Sequence, residues 1–245
     1  MREQRRAARL RLHGGPGVIV AVLLIGVTGC QEPYAGSATG PKVAVLGDSI
    51  SHVAWSYDEI RAAFVPAHRV SVSGVGGAKF IDSRPVAAEY QAMAPDAVVI
   101  ELGSNDAFAA VGPPRDPANG DLRPTRSPEA AEQHLIESEA ALRDLLAVLG
   151  SPACVVIVNV STFSLYPAYR DWAQRWNSEV LERVKAADHR VRIADWSGAV
   201  ADWFARPEPK ETLFVVDLLH PESPGQVLLA DLMVREIDAC LAAAA

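Results

Sequence analysis

The sequence predicts an α/β domain built on a five-stranded parallel sheet with helices on both faces. Three observations carry that prediction. From Lys42 onward, short apolar runs alternate with longer mixed segments, as expected of strand–helix units whose strands are covered on both sides. Three of those runs end in glycine-rich turns, at Gly47, Gly74 and Gly103. The chain has 245 residues, 49% of them apolar and 22% charged, which suits one domain with a sizeable core.

The N-terminus is different in kind. Arg2, Arg5, Arg6, Arg9 and Arg11 form a basic head, and an apolar run from Val18 to Val27 follows. That run is shorter than the ~20 residues a spanning helix needs. A positive head, a short apolar centre and small residues describe an export signal over residues 1–29. The alternative, a basic arm for nucleic acid, leaves the apolar run unexplained. The segment closes on Val27-Thr28-Gly29-Cys30, which resembles the bacterial lipobox, in which the cysteine is lipidated and becomes the first mature residue. The resemblance implies a lipid anchor at Cys30 and a cell-membrane lipoprotein facing away from the cytoplasm. Two lipid chains anchor firmly where one does not. Removing residues 1–29, with five Arg and one Glu, lowers the net charge from −7 to −11. A body that acidic is a poor nucleic-acid binder. Residues 30–41 are small, polar and rich in Gly and Pro, and read as a tether.

The domain then runs over residues 42–245. Val43–Leu46 is the first strand, leading into Gly47-Asp48-Ser49, and Ile50–Phe64 is helical, stopped before Pro66. Arg69–Ser73 is the second strand and meets Gly74-Val75-Gly76-Gly77. Val86–Met93 is helical. Ala97–Leu102 is the third strand, apolar apart from Glu101, and meets Gly103-Ser104-Asn105-Asp106. The Pro-, Gly- and Asp-rich stretch from Ala107 to Pro128 reads as a long functional loop. Pro128–Leu149 is a long helix entered at Ser127 and stopped by Gly150. Ala153–Val160 is the fourth strand, Ala168–Ala187 a helix and Val191–Ala194 the short fifth strand. Phe214–Leu219 is a brief apolar run into a loop, and Ser223–Cys240 is the last helix.

In parallel α/β sheets the ligand site lies beyond the carboxyl ends of the strands. Ser49, the Gly74–Gly77 turn and Asn105 each follow a strand, so all three should meet at one sheet edge. Ser49 also opens a helix, where free N–H groups and the dipole favour negative charge. Taken alone it is equally an N-cap serine. Asp217 stands three residues before His220, a spacing at which a carboxylate can reach Nδ1 within one tight turn and leave Nε2 free to take a proton. Asn105 offers an amide and Gly77 an N–H without a side chain in the way; with the Ser49 N–H they make three donors for an oxyanion. Glu101 lies within its strand rather than after it, which favours a structural role over that of an active-site acid. No Gly-x-Ser-x-Gly elbow, complete dinucleotide fingerprint or P-loop is present.

Together these blocks resemble the SGNH or GDSL hydrolase family. Gly47-Asp48-Ser49, Gly74-Val75-Gly76-Gly77, Gly103-Ser104-Asn105-Asp106 and Asp217-Leu218-Leu219-His220 occur in family order across residues 42–241. Ile50 stands where many members have Leu, and Ser73 where many carry Asn. The resemblance implies a flavodoxin-like three-layer α/β/α sandwich with a five-stranded parallel sheet. It also implies Ser49 as nucleophile, His220 as general base, Asp217 as its orienting acid, and an oxyanion hole from Ser49, Gly77 and Asn105. The expected activity is serine-dependent ester hydrolysis at the cell envelope, on carbohydrate O-acetyl or short-acyl esters, with lysophospholipid and thioester substrates also open and a long-chain lipase disfavoured, without metal or organic cofactor. The alternative is a non-catalytic envelope protein that binds an acylated glycan or lipid on the same fold.

Cys154 and Cys240 remain. Cys154 opens a strand, at the end of the sheet away from the site. The last helix starts just after His220 and runs back, carrying Cys240 toward that same far edge. An oxidising compartment would let them pair; the alternative is two buried thiols on neighbouring elements.

Overall fold

A computed structural model describes residues 34–56, 59–207, 212–215 and 217–244. The export segment and Cys30 lie outside the described residues. The strands are β1 (Ala35–Gly36), β2 (Lys42–Gly47), β3 (Arg69–Gly74), β4 (Ala97–Glu101), β5 (Pro114–Asp116), β6 (Asp121–Pro124), β7 (Cys154–Val158) and β8 (Val191–Ala194). The helices are α1 (Ser49–Ser56), α2 (Glu59–Phe64), α3 (Arg84–Met93), α4 (Ser104–Val111), α5 (Pro128–Leu149), α6 (Pro167–Arg175), α7 (Leu181–Ala187), α8 (Trp196–Ala205) and α9 (Ser223–Ala244).

The main sheet runs β1-β3-β2-β4-β7-β8. Its last five strands are mutually parallel, and their order is the flavodoxin-like 2-1-3-4-5. Side-chain alternation divides the core in two. Ala44, Leu46, Val98, Ile100, Val155 and Ile157 pack with Tyr90, Leu142, Trp176 and Val184 from α3, α5 and the α6–α7 segment. Val43, Val45, Val70, Val99 and Val156 pack on the other face with Ile60, Phe64, Trp196, Leu229 and Met233 from α2, α8 and α9. The result is the α/β/α sandwich expected. Each fully buried aliphatic side chain of this size contributes about 1.5–3 kcal/mol.

Several boundaries differ from expectation. The sheet has six strands rather than five. The extra one, β1, comes from the stretch read as a tether and pairs antiparallel with Val70 and Arg69 on β3. Ser37 N–H adds a bond to the His68 carbonyl at 3.0 Å. The folded body therefore starts before Lys42, because backbone groups on the free edge of β3 take a partner whatever its side chains. The long loop of Ala107–Pro128 is in fact the end of α4, stopped at Gly112 (φ 69°), and a small β5–β6 hairpin turned at Gly120 (φ 77°). Ile50–Phe64 holds two helices, α1 and α2. The helix expected over Ala168–Ala187 carries a π turn at Trp176–Val180. There Asn177 accepts from Val160 N–H at 3.0 Å and donates to Val160 O at 2.7 Å. Helix α8 had no counterpart in the sequence reading; the Asp195 side chain caps it by accepting from Gly198 N–H.

Cys154 and Cys240 are joined by a disulfide with Cα atoms 5.9 Å apart. The antiparallel return of α9 across β7 brings them together at the amino end of the strand.

Candidate active site

The switch point of a 2-1-3-4-5 sheet lies between its first and third strands, here β2 and β4. Ser49 and Asn105 follow those two strands directly. The register places Gly47 beside Glu101, and the chain leaves both strands at the same level.

The turn after β2 is held from below. Asp48 N–H donates to Glu101 O at 3.2 Å, and His52 N–H donates to Asp48 O at 3.1 Å, which starts α1. Asp48 Oδ1 accepts from Ile50 N–H at 2.8 Å. Glu101 Oε2 accepts from both Ser51 N–H, at 3.1 Å, and Ser51 Oγ–H, at 2.8 Å. A Cβ on Gly47 would lie 2.2 Å from Ser51 Oγ and 3.1 Å from Glu101 Oε2. Glycine is thus required at the end of β2 for these two groups to close beneath it.

The turn after β3 is tied to the same strand end, with Val75 N–H donating to Gly47 O at 3.1 Å. Ala78 N–H bonds Val75 O at 3.0 Å, closing a tight turn in which Gly77 has φ 78°. Cβ atoms on Gly76 or Gly77 would meet nothing within 4 Å. Gly77 is therefore demanded by backbone conformation rather than by crowding, and the space in front of it is open.

Asn105 lies on the first turn of α4, entered through Gly103 (φ 116°). A Cβ on Gly103 would strike Val160 Cγ2 at 2.7 Å. The Asn105 amide donates to Asp48 Oδ2 at 2.9 Å and to Ala78 O at 3.1 Å. Both of its hydrogens are committed, so Asn105 serves an oxyanion only in exchange for one of these bonds. Asp106 faces the other way and accepts from Phe80 N–H and from Ser138 Oγ, linking this turn to α5.

His220 arrives on a small hairpin-like segment. Phe214 pairs with Pro221, Glu222 N–H bonds Leu213 O at 2.9 Å, and Val215 N–H bonds His220 O at 2.9 Å. Leu218, within the turn, has φ 57°. Asp217 Oδ1 accepts from the backbone N–H groups of Leu219 and His220 at 2.9 and 3.0 Å. Its Oδ2 lies 2.7 Å from His220 Nδ1, and His220 Nε2 lies 2.8 Å from Ser49 Oγ. An ionised carboxylate only accepts, so Nδ1 carries the proton and Nε2 accepts from the serine hydroxyl. The buried Gln226 side chain at the start of α9 donates to Pro221 O at 3.0 Å and fixes the segment from behind.

The electrostatics sort the acids into two groups. Burial pushes Asp48 up to about 6 against the opposing effects of the Ile50 N–H, the His220 charge and the Asn105 amide. Burial, and then the Asp48 charge, pushes Glu101 well above the carboxylate range. Burial likewise lifts Asp106 to about 6. Burial acts upward on Asp217 too, but the hydrogen bonds from the His220 ring and from the His220 and Leu219 N–H groups outweigh it and hold this acid below its usual value. Asp217 is thus the ionised partner, and of the acids beneath Ser49 it is Glu101 that burial most favours in its protonated form. Among the described residues no group of three His, Cys, Asp or Glu side chains is placed to hold a metal ion.

The structure therefore brings Ser49, His220, Asp217 and Asn105 to one edge, as expected, with the Gly77 turn fastened to the strand that carries Ser49. Sequence reasoning missed the engagement of Asn105 by Asp48 and the coupling of Glu101 to Ser51. The strand register that places Glu101 beside Gly47 is the signal that would have found the second.

The family model described as GDSL-like Lipase/Acylhydrolase matches residues 45–228. No curated protein sequence matches the chain. Among solved structures, Axe2, an acetylxylan esterase from Geobacillus stearothermophilus, is similar at 21% identity over 84% of this chain and 96% of that one, with a TM-score of 0.56. The C-terminal catalytic domain of peptidoglycan O-acetyltransferase A from Streptococcus pneumoniae is similar at 12% identity over 85% of this chain and 96% of that one, with a TM-score of 0.55. At these identities the likeness is one of fold.

Proposed function

The chain belongs to the GDSL-like lipase/acylhydrolase family and is a hydrolase of ester bonds, and from that premise we propose that Ser49 is its nucleophile and that it removes short acyl groups, acetyl above all, from hydroxyls of a glycan. One observation carries the catalytic assignment: the unbroken line from Asp217 Oδ2 through His220 to Ser49 Oγ, with bonds of 2.7 and 2.8 Å.

Mechanism follows from that line. As Ser49 Oγ attacks the ester carbonyl carbon, its proton passes to His220 Nε2, and Asp217 stabilises the imidazolium that forms. The carbonyl oxygen becomes an oxyanion beside the Ser49 N–H at the start of α1, the Gly77 N–H and the Asn105 amide. Each such donor is worth about 3–4 kcal/mol to the transition state. Collapse breaks the ester C–O bond, and His220 returns the proton to the departing alcohol oxygen. Water then attacks the acyl-serine with His220 again as base, releasing the acid and restoring Ser49. The residues present complete the cycle themselves.

The preference for short acyl groups on a glycan is supported by the neighbouring folds, whose names concern acetyl groups on xylan and on peptidoglycan. We place the protein outside the cytoplasm, held to the membrane through Cys30, on the strength of the Val27–Cys30 motif and the disulfide.

The test is direct. A fluorophosphonate should label wild type at Ser49 and leave Ser49→Ala unlabelled; labelling that survives the substitution removes the assignment. Across p-nitrophenyl esters, kcat/KM should be greatest for acetate and fall with chain length, and an optimum at long chains overturns the short-acyl reading. Acetylated oligosaccharides should lose acetate under wild type. Unmodified mature Cys30 in the native host, seen by mass spectrometry, would remove the anchor.

A further inference from the structure

We propose that Glu101 is a positioning residue for the reaction: a neutral carboxylic acid that shares one proton with Asp48 and so locks the Ser49 turn and the Asn105 amide to each other. This rests on the esterase reading above and adds the element that holds its two halves in register.

The geometry begins with burial. Asp48 is wholly enclosed and Glu101 is 5% exposed, and Ser51 between them is also enclosed. Glu101 Oε2 spends its accepting capacity on Ser51 N–H and Ser51 Oγ–H. Asp48 and Glu101 adjoin at the ends of paired strands, with Asp48 N–H donating to Glu101 O at 3.2 Å, and each carboxyl acts on the other's ionisation. Asp48, in turn, holds Ile50 N–H with Oδ1 and the Asn105 amide with Oδ2. The pair thus takes four bonds from three residues: Ile50 and Ser51, which directly follow Ser49 in α1, and Asn105 on the first turn of α4.

Two neighbouring carboxyl groups that are both out of water resist being ionised together. The groups facing the pair do not change that. Ser51 on α1 and Asn105 on α4 are neutral donors. The Tyr169 phenol on α6 lies within electrostatic reach of both acids and is itself pushed upward by burial. His220, on the segment before α9, acts on Asp48 and is cationic only after taking a proton. One proton therefore stays between the carboxyls, and a single negative charge remains.

That arrangement has two consequences for the reaction. The charge sits on the Asp48 side, where it fixes the Asn105 amide and favours the imidazolium of His220. The proton on Glu101 makes the contact attractive, so the turn carrying Ser49 and the turn carrying Asn105 are pulled together rather than forced apart. Losing the shared proton at high pH would set two charges against each other directly beneath Ser49.

The experiment compares Glu101→Ala and Glu101→Gln with wild type, after wild type has been shown to hydrolyse p-nitrophenyl acetate and Ser49→Ala has been shown not to. Failure of that first step speaks against the esterase reading, not against Glu101. Glutamine keeps an acceptor for Ser51 and an N–H donor for Asp48 without a titratable proton. We expect Glu101→Ala to lose roughly a hundredfold in kcat, the scale of an ångström of misplacement, with KM within a few-fold. Glu101→Gln should restore kcat at neutral pH to within a few-fold of wild type. Wild type should also show an alkaline decline in kcat that Glu101→Gln lacks. A glutamine variant as impaired as alanine, or alkaline limbs that superimpose, would overturn the proposal. So would full activity in Glu101→Ala. Should the alanine variant not fold, the kcat and alkaline limb of Glu101→Gln against wild type decide the matter alone.

Discussion

Breaking the Cys154–Cys240 bridge should cost stability without touching catalysis. The bridge closes a loop with a sequence separation of 86. In the chain-entropy account the unfolded state then loses about 15 cal/mol/K of freedom, or about 4–5 kcal/mol at 25 °C. The native side of the ledger changes little, because Cys154 is wholly buried and Cys240 is 5% exposed. As thiols they still fill the space between β7 and α9. For a domain of this size each kcal/mol moves Tm by about 2–4 °C, so the reduced chain should melt roughly 10 °C or more below the oxidised one. The bridge sits at the amino end of β7, and Cys240 lies about 25 Å along α9 from Ser223 at ~1.5 Å per residue. The kcat of folded molecules should therefore be unchanged. The measurement is denaturant unfolding of oxidised protein and of the same protein purified reduced, with kcat followed on both below the transition. A difference under about 1 kcal/mol would mean that the entropic reasoning fails here. A reduced form that loses kcat while still folded would mean that the far edge is coupled to the site.

Three further predictions concern the site and its surroundings. Asp217→Asn should lower kcat by about 10⁴-fold with KM little changed, because an amide no longer fixes the Nδ1–H tautomer; a loss under tenfold by steady-state kinetics would remove Asp217 from its role. Asp106, lifted to about 6 by burial, contributes stability that is full below the unfolded pKa near ~3.9 and is lost as pH rises through about 6, a difference of about 3 kcal/mol. Urea unfolding at pH 4 and pH 7 should accordingly show a smaller loss on going to pH 7 in Asp106→Asn than in wild type, and parallel shifts would contradict this. At Leu218, with φ 57°, glycine should be tolerated with kcat within a few-fold, since relief of about 1–2 kcal/mol of left-handed strain offsets its entropic cost; valine, branched at Cβ, should lower both stability and kcat, and a valine variant equal to wild type would show that the turn is not held in this conformation.

The five parallel strands were legible as short Val- and Ile-bearing runs set off by neighbouring Gly, Pro or Asp. Val43–Leu46 became Lys42–Gly47, and Val191–Ala194 stands unaltered. Helix α5 was equally plain, with Ser127 accepting from Ala130 N–H, Pro128 on the first turn and Gly150 past the end. What escaped lacked such marks. β1 is two residues held by backbone pairing alone, and nothing in Ala35-Gly36 advertises a strand. The β5–β6 hairpin is rich in Pro, Asp and Arg, with Leu122 its one large apolar residue, a composition that reads as loop. Helix α8 carries Gly198 in its first turn and buries only Trp196 and Val200, too sparse a stripe to announce a helix.

At the site, the division between legible and hidden follows sequence distance. Asp217 and His220 are three residues apart and pair within one turn, so their spacing announces their contact. Ser49 and His220 meet across a separation of 171 residues, yet each carries its own local mark, a strand end on one side and a carboxylate partner on the other. Glu101 carries none. In sequence it is an acid inside an apolar strand, and a structural reading is the natural one. Only the pairing of β2 with β4 sets Glu101 opposite Gly47, and only the missing Cβ of Gly47 lets Ser51 and Glu101 close beneath the strand end. The Gly in Gly47-Asp48-Ser49 is thus an opening for a side chain from the neighbouring strand as much as a turn residue. The Asp of the same block connects that side chain to Asn105. The first and third blocks of the motif are bound to each other directly through Asp48 and Asn105, while Glu101, which belongs to neither, fastens the Ser49 turn from below through Ser51, and this is why four short motifs can name the reacting groups without revealing all that keeps them aligned.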